Sequence, residues 1–319
     1  MSENGMPRRR LRDLEVSAIG LGCNNFGRRV GLDATRAVVD AAVDAGVDFL
    51  DTADVYGGPD KGASETLLGE VLEGRRDRVV LATKFGNDME GANGEEAGPR
   101  GSRAYIRQAV EASLRRLRTD RIDLYQYHRP DGETPIEETL GALDELVREG
   151  VIRAAGLSNF GADALREAAA AVERDGLTGF VSLQNEYSLL ERGAERDVLP
   201  ECDRLGVGFV PYFPLAHGLL TGKYRRGEAA PEGTRLADRA QVADAATFDR
   251  LEQLDAYARE RGLTPLDVAV GGLLAEPVVA SVIAGATRPE QVRANATAAR
   301  WQPDAEDRAQ LDAIFPPGD

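Results

Sequence analysis

Three features of this 319-residue sequence predict an α/β fold of the (β/α)8 type, a TIM barrel forming one domain over residues 1–319. Apolar runs of strand length alternate with amphipathic helical stretches until eight such units are counted. No low-complexity linker breaks the alternation. Strand after strand ends on a side chain able to donate, accept or move a proton, and the carboxyl ends of the strands are where such barrels keep their chemistry. A doubly wound sheet alternates in the same way, so the strand ends carry more of the argument than the count.

The elements follow in order. Leu11–Val16 reads as part of a short N-terminal hairpin, Ala18–Gly22 as strand one, and Ala34–Ala45 as helix one with Asp33 as its cap. Val47–Asp51 is strand two, and Ser64 caps the helix Ser64–Leu72. Arg78–Thr83 is strand three, ending in Lys84, and the glycine-rich loop Gly86–Gly101 after it is long enough to suggest function. Ser102 caps Arg103–Arg118; Ile122–Tyr127 is strand four, ending in His128. Pro135 opens a helix that runs to Arg148 and stops at Gly150. Val151–Leu157 leads into Ser158 and Asn159, Ala162–Arg174 is helical, and Phe180–Leu183 leads into Gln184 and Asn185. Glu195–Leu205 is helix six and Val207–Tyr212 strand seven, followed by an extended loop from Pro214 to about Thr247. Helices at Phe248–Arg261 and Pro265–Leu274 precede strand eight, Ala280–Ala284, and Arg288–Ala298 and Ala305–Ile314 close the chain as extra C-terminal helices.

Composition narrows the function. Acidic residues outnumber basic ones 54 to 39, a net charge of −15, which argues against nucleic acid and anionic membranes as partners because phosphate binding needs a basic face. Two cysteines, Cys23 and Cys202, cannot build a disulfide framework, and two histidines, His128 and His217, leave no multi-histidine metal cluster. Arg8, Arg9 and Arg10 have no apolar run behind them, so no signal peptide is read, and no apolar run approaches membrane-spanning length. The expectation is a cytoplasmic protein without a metal; its oligomeric state is not legible.

The strand ends fit together as chemistry. Strand two supplies Asp51 and, in the loop after it, Tyr56; strand three supplies Lys84 and strand four His128. A tyrosine of pKa ~10 is a weak acid at neutral pH. A lysine ammonium beside it, held charged by a carboxylate, would lower that value, and two units require roughly 2.7 kcal/mol. A histidine alongside would orient a carbonyl oxygen. The set makes a metal-free proton relay for reducing C=O. Each member has a plainer reading: Lys84 and Asp51 as a structural ion pair, His128 as a strand terminator, Tyr56 as a loop aromatic. Coincidence on adjacent strands is the poorer explanation.

Seven motifs in order carry a resemblance: DTADVYGG, ATKFG, DLYQYHRPD, GLSNF, QNEYSLL, PYFPLAHGLLTGKY and VIAGATRPEQVRAN. Along nearly its whole length the chain resembles the aldo-keto reductase family, in the bacterial branch of general aldehyde reductases related to potassium-channel β-subunits. The resemblance implies an NAD(P)H-dependent oxidoreductase that reduces an aldehyde or ketone to an alcohol by direct hydride transfer. Tyr56 would be the general acid, assisted by Lys84 paired to Asp51, with His128 orienting the carbonyl. Ser158, Asn159 and Gln184 would bind the nicotinamide carboxamide, and Tyr212 would stack on its ring, with Gly22, Phe213 and Pro214 also on the cofactor. Leu215, Gly218, Leu219 and Lys223 would line the pyrophosphate. Gly285, Thr287, Arg288, Gln291 and Asn295 would hold the adenosine end at a helix start.

Arg288 suits a ribose 2′-phosphate, so NADPH is expected over NADH. Its plainer reading is a first-turn surface arginine, and Gly285 stands where some branches carry a lysine. Phe213 replaces a frequent serine, where a backbone contact would survive, and His217 replaces a frequent arginine, which would soften the pyrophosphate grip or make it pH-sensitive. The stretch GLGCNNFG imitates a dinucleotide fingerprint, but Asn25 stands at a glycine position and no helix opens there. Its glycines instead let the chain approach the pocket, with Cys23 and Asn24 on the wall.

Two other functions fit the same fold: a cofactor-binding regulator with little turnover, and a lyase or isomerase using Lys84 as a Schiff base. Specificity would come from Gly86–Gly101, Gly222–Ala246 and the tail from Trp301 to Phe315, whose aromatics either wall a pocket or plug the barrel's side. The small-molecule carbonyl substrate itself is not legible.

Overall fold

A computed structural model describes residues 5–95, 97–234, 236–237 and 242–318. Residues 1–4 and 319 at the chain ends, residue 96 in the loop Gly86–Gly101, and residues 235 and 238–241 in the loop Gly222–Ala246 lie outside the described residues.

The hairpin is β1 (Arg8–Leu11) and β2 (Leu14–Ser17), paired antiparallel. Eight parallel strands follow: β3 (Ile19–Gly22), β4 (Phe49–Asp51), β5 (Val80–Phe85), β6 (Ile122–Tyr127), β7 (Ile152–Ser158), β8 (Phe180–Gln184), β9 (Gly208–Phe209) and β10 (Val282–Gly285). Their order is β10-β3-β4-β5-β6-β7-β8-β9. The two ends of this sheet are joined by Phe209 N donating to Val278 O at 2.8 Å, Ala280 N to Phe209 O at 2.8 Å and Ile283 N to Pro211 O at 3.0 Å. The parallel strands therefore close into the (β/α)8 barrel.

Strand periodicity explains why its mouth is polar and its floor is not. Side chains two apart face the same way. Phe49, Ala82 and Leu124 belong to an interior apolar cluster with Leu11, Leu14 and Val16 of the hairpin, which plugs the bottom. Two residues further along the same strands stand Asp51, Lys84 and Gln126. Each fully buried leucine or phenylalanine of the plug contributes about 1.5–3 kcal/mol. A second, larger cluster lies between the strands and the surrounding helices.

Those helices are α1 (Leu32–Asp44), α2 (Ala63–Val71), α3 (Arg103–Leu117), α4 (Ile136–Arg148), α5 (Ala162–Asp175), α6 (Val198–Leu205), α7 (Ala245–Glu260), α8 (Pro265–Leu274), α9 (Pro289–Ala298) and α10 (Ala305–Ile314). On α4, Thr139, Leu140, Leu143 and Leu146 recur at three- and four-residue spacing and are buried, the stripe that docks a helix on a sheet. Because α9 packs between α1 and α8, it completes the eighth unit. Only α10 is an extra C-terminal helix, and the other addition is α7. Both cover a satellite core with Leu220, Val268 and Phe315. Trp301 packs there too, where a Cβ on Gly271 would lie 2.4 Å from its ring. The two tail aromatics plug the barrel's side. Among the described residues no helix is long and apolar enough to cross a membrane.

Several expected boundaries move for physical reasons. Gly31, not Asp33, is the N-cap of α1, and Asp33 sits in the first turn, where its charge meets the positive end of the helix. Ser64 is inside α2 and does not cap it; the chain enters through Gly62 at φ 86, where a Cβ would lie 2.5 Å from Arg116. Helix six begins at Val198, after a 3-10 turn at Gly193–Glu195 whose glutamate is held by Arg192 and Tyr187. Strand seven contracts to Gly208–Phe209, because Pro211 has no N–H to continue the ladder. Lys84 lies within β5 and not beyond it.

Candidate active site

At the carboxyl end of the barrel, β4, β5, β6 and β8 bring four polar side chains into one buried network. Lys84 Nζ donates to Asp51 Oδ2 at 2.6 Å and to Thr52 O at 2.8 Å. Gln126 and Gln184 each donate through Nε2 to Asp51 Oδ1 at 3.0 Å. Both carboxylate oxygens are thus engaged in a site sealed from water, with Lys84 fully buried. Such a pair persists only when every member is satisfied. Burial alone would lower the lysine's pKa, but Asp51 and Tyr56 outweigh it and hold it above the ordinary value. Gln126 was not legible as a site residue: mid-strand, with no turn after it, it reads as one more buried position.

Tyr56 lies half-buried above this pair, its ring centroid 5.1 Å from Lys84 Nζ. The loop that carries it is pinned by Asp54 N donating to Lys84 O and Ser64 N donating to Tyr56 O. The expected fall in the tyrosine's pKa does not occur. Burial raises it, Lys84 pulls it down, Asp51 pushes it back, and the net shift is upward. The sequence reading counted the nearby cation and could not weigh the desolvation. The phenol therefore keeps its proton at neutral pH and is a donor.

His128 stands edge-on to Tyr56, with ring centroids 6.0 Å apart. Its Nδ1 is 2.7 Å from Asn87 Nδ2, so an amide N–H donated there places the imidazole's own hydrogen on Nε2. Burial, then Lys84 and Arg129, push its pKa down to about 3. The ring is a neutral hydrogen-bond donor across the physiological range. Asn87 lies in the glycine-rich loop Gly86–Gly101, where no sequence signal singled it out.

The exits of β7, β8 and β9 form a second cluster. Asn159 adopts φ 61, a left-handed conformation that asparagine tolerates. Its Nδ2 donates to His128 O at 2.8 Å and Ser158 Oγ at 3.1 Å, and its Oδ1 accepts from Tyr212 OH at 2.8 Å. Ser158 Oγ donates to Gln184 O at 2.8 Å. Phe213, Ala216 and His217 also have positive φ, a run of strained residues on one wall that points to a functional constraint.

These clusters line one cavity of about 730 Å3. Asp51, Tyr56 and His128 lie at one end with Ser158, Asn159, Gln184 and Tyr212; Gly22, Phe213, Pro214, Leu215, Gly218 and Lys223 are on its walls. At the far end are Gly285, Thr287, Arg288, Gln291 and Asn295, around the start of α9. Lys84 sits behind the lining, and Leu219 faces a separate crevice with Phe248 and Leu251. Gly22 lets the wall stay thin, since a Cβ there would meet Ile283 at 3.0 Å. Gln291 Oε1 accepts from Thr287 N at 2.8 Å, shaping the turn into α9. Among the described residues, Arg288's guanidinium has no hydrogen bond or ion pair. Cys23 and Asn24 are on the wall as expected, joined by Asn25, Arg29 and Arg129, to which the sequence assigned no role in the site.

A further buried carboxyl lies just behind Tyr56. Asp54 is fully buried, with Oδ2 accepting from Asn93 Nδ2 at 3.2 Å and Oδ1 unpartnered among the described residues. Burial first, and then Glu65, raise its pKa to about 8. Between the unfolded value of 3.8 and about 8 the folded state holds a proton that the unfolded state has lost, so stability falls as pH rises. Asp54→Asn is expected to remove that slope, roughly 1.4 kcal/mol per pH unit across the window. Urea titrations at pH 5, 6 and 7.5 check this, and parallel pH profiles in both proteins would reject it.

The comparisons agree with the fold. The model of the aldo/keto reductase family matches residues 18–315. The chain belongs to the aldo/keto reductase family. It is 39% identical over 308 residues to the uncharacterized oxidoreductase YrpG of Bacillus subtilis, spanning 95% of this chain and 93% of that one. With the uncharacterized oxidoreductase YqkF of the same organism it shares 36% identity over 288 residues, 90% and 88% of the two chains. The holo form of the aldo-keto reductase AKR11C1 from Bacillus halodurans superposes with a TM-score of 0.78 at 34% identity, covering 97% of this aldo/keto reductase and 96% of that chain. The family and the oxidoreductase relatives support a function of the carbonyl reductase kind.

Proposed function

We propose that this aldo/keto reductase is one catalytic domain that uses NADPH in the cytoplasm to reduce the carbonyl of a small aldehyde or ketone to an alcohol. The observation that carries the reading is the pairing of a sealed Lys84–Asp51 ion pair with a protonated Tyr56 and a neutral His128 around one cavity end. When bound, the cofactor supplies the hydride.

The chain's own residues do the rest. His128 donates from Nε2 to the carbonyl oxygen and orients it. Tyr56 gives the same oxygen its proton as negative charge develops there, and Lys84 beneath stabilises the phenolate left behind. Asp51, held by Gln126 and Gln184, keeps Lys84 in place. Ser158, Asn159 and Gln184 bind the carboxamide, Tyr212 stacks on the ring, and the bent wall from Phe213 to Gly218 with Lys223 takes the pyrophosphate. The Leu219 side chain faces away, so only its backbone serves there. Gly285, Thr287, Gln291 and Asn295 hold the adenosine. Arg288 takes the 2′-phosphate. That AKR11C1 has a holo form supports a cofactor here.

Loss of NADPH absorbance against a panel of aldehydes and ketones tests the function, with Tyr56→Phe as control. Tight NADPH binding without turnover would sink the reductase reading in favour of a cofactor-binding regulator. Arg288→Leu is expected to weaken NADPH binding about ten- to hundredfold and to change NADH binding by less than about twofold. Fluorescence titration with both cofactors measures it, and equal losses would reject the 2′-phosphate assignment.

A further inference from the structure

We propose that Arg129 anchors an anionic group of the substrate, so that the preferred carbonyl compound carries a carboxylate or a phosphate. This rests on the reductase reading and names the substrate class of that same site.

Arg129 follows His128 at the exit of β6 and lines the cavity. Its charge acts on His128 and on Tyr212, which places it at the carbonyl end and not at the adenosine end. The side chain is exposed, and among the described residues its guanidinium has no hydrogen bond or ion pair. By contrast, the guanidiniums of Arg76, Arg116 and Arg192 are all paired with carboxylates.

Of the acids nearby, Glu186 also acts on Tyr212 but is exposed and does not line the cavity, and two others are already committed. Asp131, two residues on, turns Oδ2 to Gly101 N at 2.6 Å and Thr134 Oγ1 at 2.8 Å, and Oδ1 to Glu133 N and Thr134 N. Asp51 is bound to Lys84 and two glutamines. Tyr56 and His128, which line the cavity with Arg129, are neutral. An open arginine among neutral donors, one residue from the group that receives the carbonyl oxygen, is a fork for a planar carboxylate or a phosphate. It also supplies local attraction that an acidic protein otherwise denies an anion. Arg288 lines the same cavity from a different element, at the start of α9.

Two matched pairs of substrates test this: 4-carboxybenzaldehyde with 4-methylbenzaldehyde, and glyceraldehyde 3-phosphate with glyceraldehyde. The wild-type enzyme is expected to favour one or both anionic members in kcat/KM, and the larger ratio tells carboxylate from phosphate. Arg129→Met is expected to lower kcat/KM for the favoured anion about ten- to hundredfold, through KM, and to change its neutral partner less than about threefold. Arg129→Lys should restore part of the loss. Equal losses for charged and neutral members, or a wild-type preference for the neutral ones, would overturn the proposal. A calorimetric titration of 4-carboxybenzyl alcohol and of glycerol 3-phosphate into the NADP-loaded proteins separates this from the reductase reading. Absent turnover with at least tenfold weaker binding of one of these anions to Arg129→Met would fault the chemistry and keep the anchor. Equal binding of both by wild type and variant would remove the anchor whatever the turnover.

Discussion

Tyr56→Phe is expected to lower turnover by about a hundredfold to ten-thousandfold, the range for loss of a positioned general acid, while NADPH binding stays within about twofold. The variant removes one oxygen and keeps the ring that faces His128, so the cavity wall is preserved. The phenol's raised pKa makes the prediction specific. A tyrosine that holds its proton at neutral pH is poised for reduction and must lose it for the reverse oxidation. Reduction should therefore persist from pH 6 to 8 without an inflection from His128, whose value near 3 lies far below that window. Stopped-flow single turnovers separate the chemical step from cofactor release. An unchanged hydride-transfer rate in Tyr56→Phe would assign the proton to another donor.

Lys84→Met carries the other large effect, on stability and activity together. It leaves the Asp51 carboxylate buried with only two glutamine amides as donors, and breaking a buried pair in this way costs about 3–5 kcal/mol. Activity should fall by about a hundredfold to a thousandfold, because the phenolate formed on proton transfer would lose its stabilising cation. The double variant Asp51→Asn with Lys84→Met removes both charges at once. Its stability should return most of the way toward wild type, while its turnover stays lost. Chemical denaturation and NADPH oxidation on the three proteins read this directly. A double variant that recovers both would reduce the pair to a structural role.

Much of this architecture is legible in one sequence because local chemistry repeats. The glycine at 150 and the serine at 102 mark helix ends by rules that need only neighbouring residues, and both hold. Asp33 and Ser64 obey the same rules on paper and fail, since Gly31 and Gly62 shape the entries and Ser64 is drawn off to Cys23 O at 2.9 Å. Leu219 sits in a motif whose neighbours line the cavity, yet its side chain turns the other way in a 3-10 segment with positive φ at His217 and Gly218.

What the sequence by itself determined is the periodicity: eight strand-and-helix units, and the residue type at each strand end. Those follow from spacing along the chain, which is a local property. The tertiary structure decided how the ends act on one another. Gln126 joins Asp51 from 75 residues away and Gln184 from 133, and no local pattern encodes either contact. It also decided signs: burial raises Tyr56 where a nearby lysine suggested a fall, and leaves Arg129 without a partner while its neighbour Asp131 is fully occupied. Desolvation and partner choice depend on everything that surrounds a group, and only the closed barrel supplies those surroundings.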